Sequence, residues 1–127
     1  MAERPKIYDQ RVMTYAQDKK YYGEVVNPTF SSQRANVACG DSLAISGIDK
    51  NGIIVEVKFC GAGCMISQAA AAMLLEDILG KSIEYALSLT IDNMKHMLGI
   101  ELGFLRVQCA ELPLRVLQDA LKNKNVG

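Results

Sequence analysis

The chain has 127 residues, half of them hydrophobic, and its fourteen Lys plus Arg are matched by fourteen Asp plus Glu. That length carries one core and one domain, 1–127, and the hydrophobic content excludes a disordered chain. The even charge leaves no basic excess for nucleic acid or anionic lipid, and the longest purely apolar run, Ala69 to Leu75, falls far short of the ~20 residues of a membrane span.

The chain starts Met1-Ala2-Glu3-Arg4-Pro5, without the apolar stretch of a signal peptide, so a cytoplasmic location is expected. Thiols stay reduced in that compartment, and four cysteines then argue for metal or sulfur chemistry ahead of disulfides. Residues 7 to 17 place Ile7, Tyr8, Val12 and Tyr15 on one helical face; Asp18-Lys19-Lys20, read as a solvated helix end, and Gly23 stop it. Val25 and Val26 suit a short strand before the Asn27-Pro28 turn, and residues 29 to 38, polar and poorly patterned, read as a loop. Leu43, Ile45 and Gly47 alternate with Ala44, Ser46 and Ile48. Ile53, Val55, Val57 and Phe59 alternate with Ile54, Glu56, Lys58 and Cys60, and Asn51-Gly52 joins the two strands as a hairpin.

From Met65 to Leu79 the period becomes helical, with Ile66, Ala69, Ala70, Met73 and Leu74 on one stripe and Gly80 as the stop. Ser82 opens a second short helix, and Thr90 with Asn93 opens a third ending near Gly99. The last helix is expected to start near Cys109 or Ala110, with Pro113 in its first turn and Leu114, Leu117 and Leu121 buried. No internal repeat or low-complexity segment is present.

Three cysteines carry the chemistry: Cys39 in Ala38-Cys39-Gly40-Asp41, Cys64 in Gly61-Ala62-Gly63-Cys64, and Cys109 in Val107-Gln108-Cys109. Cys64 and Cys109 each precede an expected helix, where unpaired amides and the dipole favour a thiolate. Cys39 and Asp41 share one turn, so a sulfur and a carboxylate can face the same atom. Three thiolates and a carboxylate make a tetrahedral set for zinc or iron. Read singly, Cys39 and Cys109 fit small buried hydrophobes equally well; read together with the flanking glycines, they favour a site. Cys60, four residues before Cys64, is open to two readings, accessory thiol or strand residue pointing away. His96 stands alone among non-ligands in Met94-Lys95-His96-Met97 and reads as a surface side chain, while Met73, Met94 and Met97 read as packing.

Ala38-Cys39-Gly40-Asp41, Gly63-Cys64 opening an Ala/Ser-rich helix, and Cys109 opening the C-terminal helix together resemble the iron–sulfur cluster scaffold family of the IscU, SufU and NifU N-terminal type. The resemblance extends to Tyr8, Val12 and Gly23 in the N-terminal helix region and to Lys81-Ser82-Ile83-Glu84-Tyr85-Ala86-Leu87. It implies an α+β fold: a small antiparallel β-sheet with helices packed on one face, the cysteines gathered at one end. It implies that Cys39, Cys64 and Cys109, with Asp41 beside them, hold a transient [2Fe-2S] cluster or a zinc ion. A cysteine desulfurase would supply the sulfur and apo iron–sulfur proteins would accept the cluster.

The chain departs from the family pattern in places. Gln108 stands where IscU has His before the last cysteine, and an amide is a far poorer metal ligand than imidazole. Gly61-Ala62-Gly63-Cys64-Met65-Ile66-Ser67 is similar to SufU, yet the SufU insertion before the last cysteine is missing. Leu102-Gly103-Phe104-Leu105-Arg106-Val107 replaces the Leu-Pro-Pro-Val-Lys signal for a dedicated Hsp70 chaperone. The resemblance therefore implies a scaffold first and a zinc-bound sulfur acceptor second, neither of them an enzyme in the ordinary sense. A structural zinc module and a Cys60/Cys64 dithiol oxidoreductase rank lower. A cluster on three thiolates needs one more ligand from Asp41, Cys60, a small thiol or the second protomer of a homodimer.

Overall fold

The computed structural model describes residues 10–36, 40–99 and 101–123. Its elements run α1 Gln10–Gln17, β1 Phe30–Asn36, β2 Asp41–Lys50, β3 Ile53–Ala62, α2 Met65–Ile78, α3 Ile83–Ser88, α4 Ile91–Leu98 and α5 Phe104–Asn123. The strands form one antiparallel sheet in the order β1-β2-β3. Helices α2 and α5 lie against one face of it, and no helix of the described residues is long and apolar enough to cross a membrane. The expected α+β architecture is thus present.

The β2–β3 turn follows from its two residues. Asn51 and Gly52 both take positive φ, 55° and 82°, the backbone that a tight two-residue hairpin requires. Beyond it the register shifts, from Asp49↔Ile54 to Ile48↔Glu56, so Val55 is an extra residue in β3. This bulge corrects the simple alternation read along the strand. Ile54 turns inward at 0% exposure, while Ile53 and Val55 are 40% and 45% exposed.

The segment expected to be a loop, 29 to 38, contains β1. Phe30 to Asn36 pair residue by residue with Gly47 to Asp41. Phe30 is the one buried side chain of this strand, so the rest shows no apolar alternation. Its ring covers Gly47, where a Cβ would come within 2.3 Å of it. The strand expected at Val25 and Val26 is absent. Val26 is 80% exposed, and the chain that runs beside β3 is instead Tyr21 to Gly23, bonded through both backbone groups of Phe59 at 2.8 Å.

Helix α2 is buried nearly all round rather than on one stripe. Ile66, Ala69 to Ala72, Leu74, Leu75 and Ile78 are each 1% exposed or less. A helix apolar on every side belongs inside, and α2 is packed by α1, α4 and α5 as well as by β3. The later helices begin where their caps place them. The Ser82 hydroxyl accepts from the Tyr85 amide, and Thr90 and Asn93 form a reciprocal capping box.

Helix α5 starts at Phe104, five residues before Cys109, and Pro113 lies in its interior and not in its first turn. Proline has no N–H, so it cannot donate to the Cys109 carbonyl four residues earlier. Burial of Pro113 and of its neighbours Leu112, Leu114, Val116 and Leu117 against the core offsets that loss. Gln118 ties α5 to the end of α3, donating to the Ala86, Leu87 and Leu89 carbonyls at 2.9–3.3 Å. Arg34 ties β1 to α5 through Asp119 at 2.6 Å.

Candidate metal centre

One end of the sheet brings together the start of β2, the end of β3 and the first turn of α2. Asp41 is the first residue of β2 and is 3% exposed. Cys64 is the N-cap of α2, with extended backbone at φ −75° and ψ 171°. The Cys64 amide donates to Asp41 Oδ1 at 3.0 Å, and the thiol lies 3.8 Å from Oδ2. The α2 amides converge on this corner, an end of a helix that favours negative charge.

Cys109 reaches the same corner from α5. The ligand atoms of Asp41, Cys64 and Cys109 all lie within 4.8 Å of one another, the one such set of three or more His, Cys, Asp or Glu among the described residues. Tetrahedral zinc with sulfur at ~2.3 Å and oxygen at ~2.0 Å holds its ligands roughly 3.5–3.8 Å apart, so small side-chain movements suffice to close this set on an ion. Two soft sulfurs and a carboxylate suit zinc or iron rather than magnesium or calcium.

Cys109 corrects one expectation. It sits in the second turn of α5 and is 2% exposed, so no helix N-terminus acts on it. Of the two gathered thiols, Cys64 alone is half-buried and open to an approaching reagent. Cys39 and Tyr8 lie outside the described residues. Cys60 points to the other face of the sheet, since its neighbour Phe59 faces the core. Its thiol lies 3.9 Å from Glu24, and burial together with that carboxylate pushes its pKa above the usual thiol value. His96 is exposed on α4, and Met73 and Met94 are buried in the core with Met97 packed against it, as expected.

Two residues of the corner were not singled out by sequence reasoning in these roles. Ser67, 1% exposed, donates its hydroxyl to the Cys64 carbonyl at 3.0 Å. The signal was its place three residues after the N-cap. Gly63 is needed for space: a Cβ there would come within 2.3 Å of Ser67 Oγ and 3.2 Å of the Asp41 carboxylate. Its lack of a side chain lets the chain pass between the two.

The profile of the NifU-like N terminal domain matches residues 7–125. The iron–sulfur cluster assembly scaffold protein IscU of Thermotoga maritima is 30% identical, with 91% of this chain and 93% of that protein aligned. The zinc-dependent sulfurtransferase SufU of Bacillus subtilis is 26% identical over 95% of this chain and 93% of its own length. Among solved structures, a protein of Fervidobacterium islandicum AW-1 assigned to iron–sulfur scaffolding for the SUF system is 30% identical with a TM-score of 0.76, covering 91% of this chain and 96% of that one. A NifU-like N-terminal protein of Brucella abortus reaches a TM-score of 0.77 at 16% identity over 92% and 93% of the two chains, a likeness of fold alone.

Proposed function

The chain belongs to the family of NifU-like N-terminal domains, the iron–sulfur cluster assembly scaffolds, and from that premise we propose that it builds a [2Fe-2S] cluster at Cys39, Asp41, Cys64 and Cys109. Sulfur comes from a cysteine desulfurase, and the finished cluster passes to apo iron–sulfur proteins in the cytoplasm. The observation that carries this reading is the corner itself: two thiols and a carboxylate within 4.8 Å, one of the thiols accessible.

The residues divide the work. Cys64 receives sulfur: its thiolate attacks the outer sulfur of a desulfurase persulfide, the new S–S bond forms, and the desulfurase thiolate leaves. Reduction of that sulfur to sulfide takes two electrons from an external donor. Cys109, enclosed, holds iron once it is delivered. Asp41 holds the Cys64 backbone through one oxygen and offers the other, a hard ligand among soft ones, as the position that opens for release. No step needs a general base, and the chain acts as a carrier.

A second reading is a zinc-bound sulfur acceptor that stimulates a desulfurase. Gln108, in place of an imidazole beside Cys109, and the compact Asp/Cys/Cys set favour it, and the SufU likeness supports it. Anaerobic purification with measurement of iron, acid-labile sulfide and zinc, alongside the visible spectrum, separates the two. Iron with sulfide supports the scaffold; zinc without sulfide, with Cys64 taking up persulfide sulfur, supports the acceptor. A protein that binds none of these under reconstitution overturns both.

A further inference from the structure

A hollow of about 350 Å³ lies between the helix-facing side of β1 and α5, beside the metal-ligand corner. Arg34, Asn36, Gln108, Glu111 and Arg115 line it. Two of its lining residues neighbour the gathered set: Asn36 is the register partner of Asp41, and Gln108 directly precedes Cys109.

The lining is polar and carries both signs of charge. Arg34 bonds Asp119 through Nη2 at 2.6 Å, and Arg115 bonds Glu111 through Nη2 at 2.9 Å. Each guanidinium therefore keeps the rest of its donor fork for a further acceptor. Both pairs are partly exposed, so water screens them and a ligand exchanges with them at little cost. Two guanidinium groups suit a carboxylate, Glu111 suits an ammonium, and the Asn36 and Gln108 amides serve either.

Resting on the metal-site reading above, we propose that this hollow binds a small thiol bearing an α-carboxylate and an α-ammonium, whose sulfur takes the position held by Asp41. The thiol proton goes to solvent, a sulfur–metal bond forms, and the Asp41 oxygen–metal bond breaks; no electrons change hands. Thiolate displaces carboxylate because it is the softer ligand for zinc or iron. The hollow fixes the polar end of the molecule, so its sulfur is delivered at high effective concentration.

The test uses the full chain loaded with cobalt(II), whose thiolate charge-transfer band reports each sulfur ligand. L-Cysteine should add to that band at a concentration about tenfold or more below that of 2-mercaptoethanol, a difference of ~1.4 kcal/mol from its charged groups. L-Serine should compete with L-cysteine without adding to the band. Arg34→Gln combined with Arg115→Gln should raise the L-cysteine concentration needed about fivefold or more. Cobalt binding before thiol addition should not change, and circular dichroism checks the fold. Glutathione, a peptide thiol, acting at lower concentration than L-cysteine assigns the natural ligand to the peptide class; the reverse assigns it to the free amino acid. Equal response to L-cysteine and 2-mercaptoethanol, or no effect of the two Arg substitutions, overturns the proposal. If cobalt does not bind, the metal-site reading fails, and with it the sulfur's placement. Calorimetric titration of the metal-free protein with L-serine, with and without the Arg substitutions, then decides separately whether the hollow binds amino acids.

Discussion

The Asp41 carboxylate grips the backbone of Cys64: Oδ1 accepts the Cys64 amide at 3.0 Å while Oδ2 stands 3.8 Å from the thiol. One side chain thus joins the start of β2 to the start of α2 and also belongs to the candidate ligand set with Cys64 and Cys109. The two roles separate by substitution. Asp41→Asn keeps an acceptor for the amide and removes the charge; Asp41→Ala removes both. Both variants should retain a reconstituted cluster longer and pass it more slowly to an apo-ferredoxin, because the exchangeable ligand is gone, and both should bind zinc more weakly. Asp41→Ala alone should lose stability, about 0.5–2 kcal/mol, the range of a lost helix cap. A transfer time course and a urea melt read the two effects. Transfer at the wild-type rate in both variants removes Asp41 from the release step.

Serine at Cys39, Cys64 or Cys109 should abolish stable cluster and zinc binding, since a hydroxyl cannot replace a soft anionic ligand. Cys109→Ser should also lower stability, because its side chain is 2% exposed among apolar neighbours. Cys64→Ser, half-buried, should leave stability near wild type. Metal content by mass spectrometry, set beside thermal melts, distinguishes a missing ligand from a damaged fold. Normal metal content in any one variant removes that residue from the site.

What the sequence made legible was local. The hairpin announced itself through Asn51-Gly52, and α3 and α4 through Ser82 and Thr90, because turns and caps need particular residues at particular places. Strand β1 was hidden: only Phe30 faces the core, and Ser31 to Asn36 are held by pairing with β2, a partner that local pattern does not reveal. The α5 start was misplaced because Pro113 resembles a first-turn proline, whereas tertiary burial holds it in a helix interior. At the site, the likeness to a family assembled candidate ligands from three distant segments. Composition and spacing alone placed Asp41 and Cys64 in turns but not against each other, since that approach depends on Gly63 having no side chain and on Ser67 beneath it.

Cys60 should prove dispensable. Facing the opposite side of the sheet, it cannot join Asp41, Cys64 and Cys109, so Cys60→Ser should assemble a cluster with unchanged metal content. Loss of the cluster in that variant would promote Cys60 to a ligand. Its raised pKa comes first from burial and then from Glu24, so the neutral thiol persists to higher pH than in an ordinary cysteine. Alkylation by iodoacetamide should accordingly be slow at pH 7 to 8 and rise only in more alkaline buffer. Glu24→Gln removes the neighbouring negative charge, lowers that pKa and should speed alkylation at a fixed pH. Peptide mapping of the zinc-loaded protein reads this at Cys60 specifically. An unchanged rate in Glu24→Gln shows that the carboxylate does not act on the thiol.

Gly63 offers the sharpest test of the corner's geometry. Alanine there would press a methyl group to 2.3 Å from Ser67 Oγ and 3.2 Å from the Asp41 carboxylate. Overpacking of that kind costs about 1–3 kcal/mol, and here it falls on the contact that joins Asp41 to Cys64. Gly63→Ala should therefore weaken zinc binding about tenfold or more while the helices remain folded. The tighter of the two clashes is with Ser67, so Ser67→Ala should relieve it. Gly63→Ala with Ser67→Ala should bind zinc better than Gly63→Ala alone, a coupling that residues out of contact do not show. Competition against a chromophoric chelator gives the affinities of the four proteins in the cycle. Strictly additive losses would mean that the first turn of α2 shifts to accept the methyl group, and that Gly63 is not what keeps Asp41 and Cys64 together.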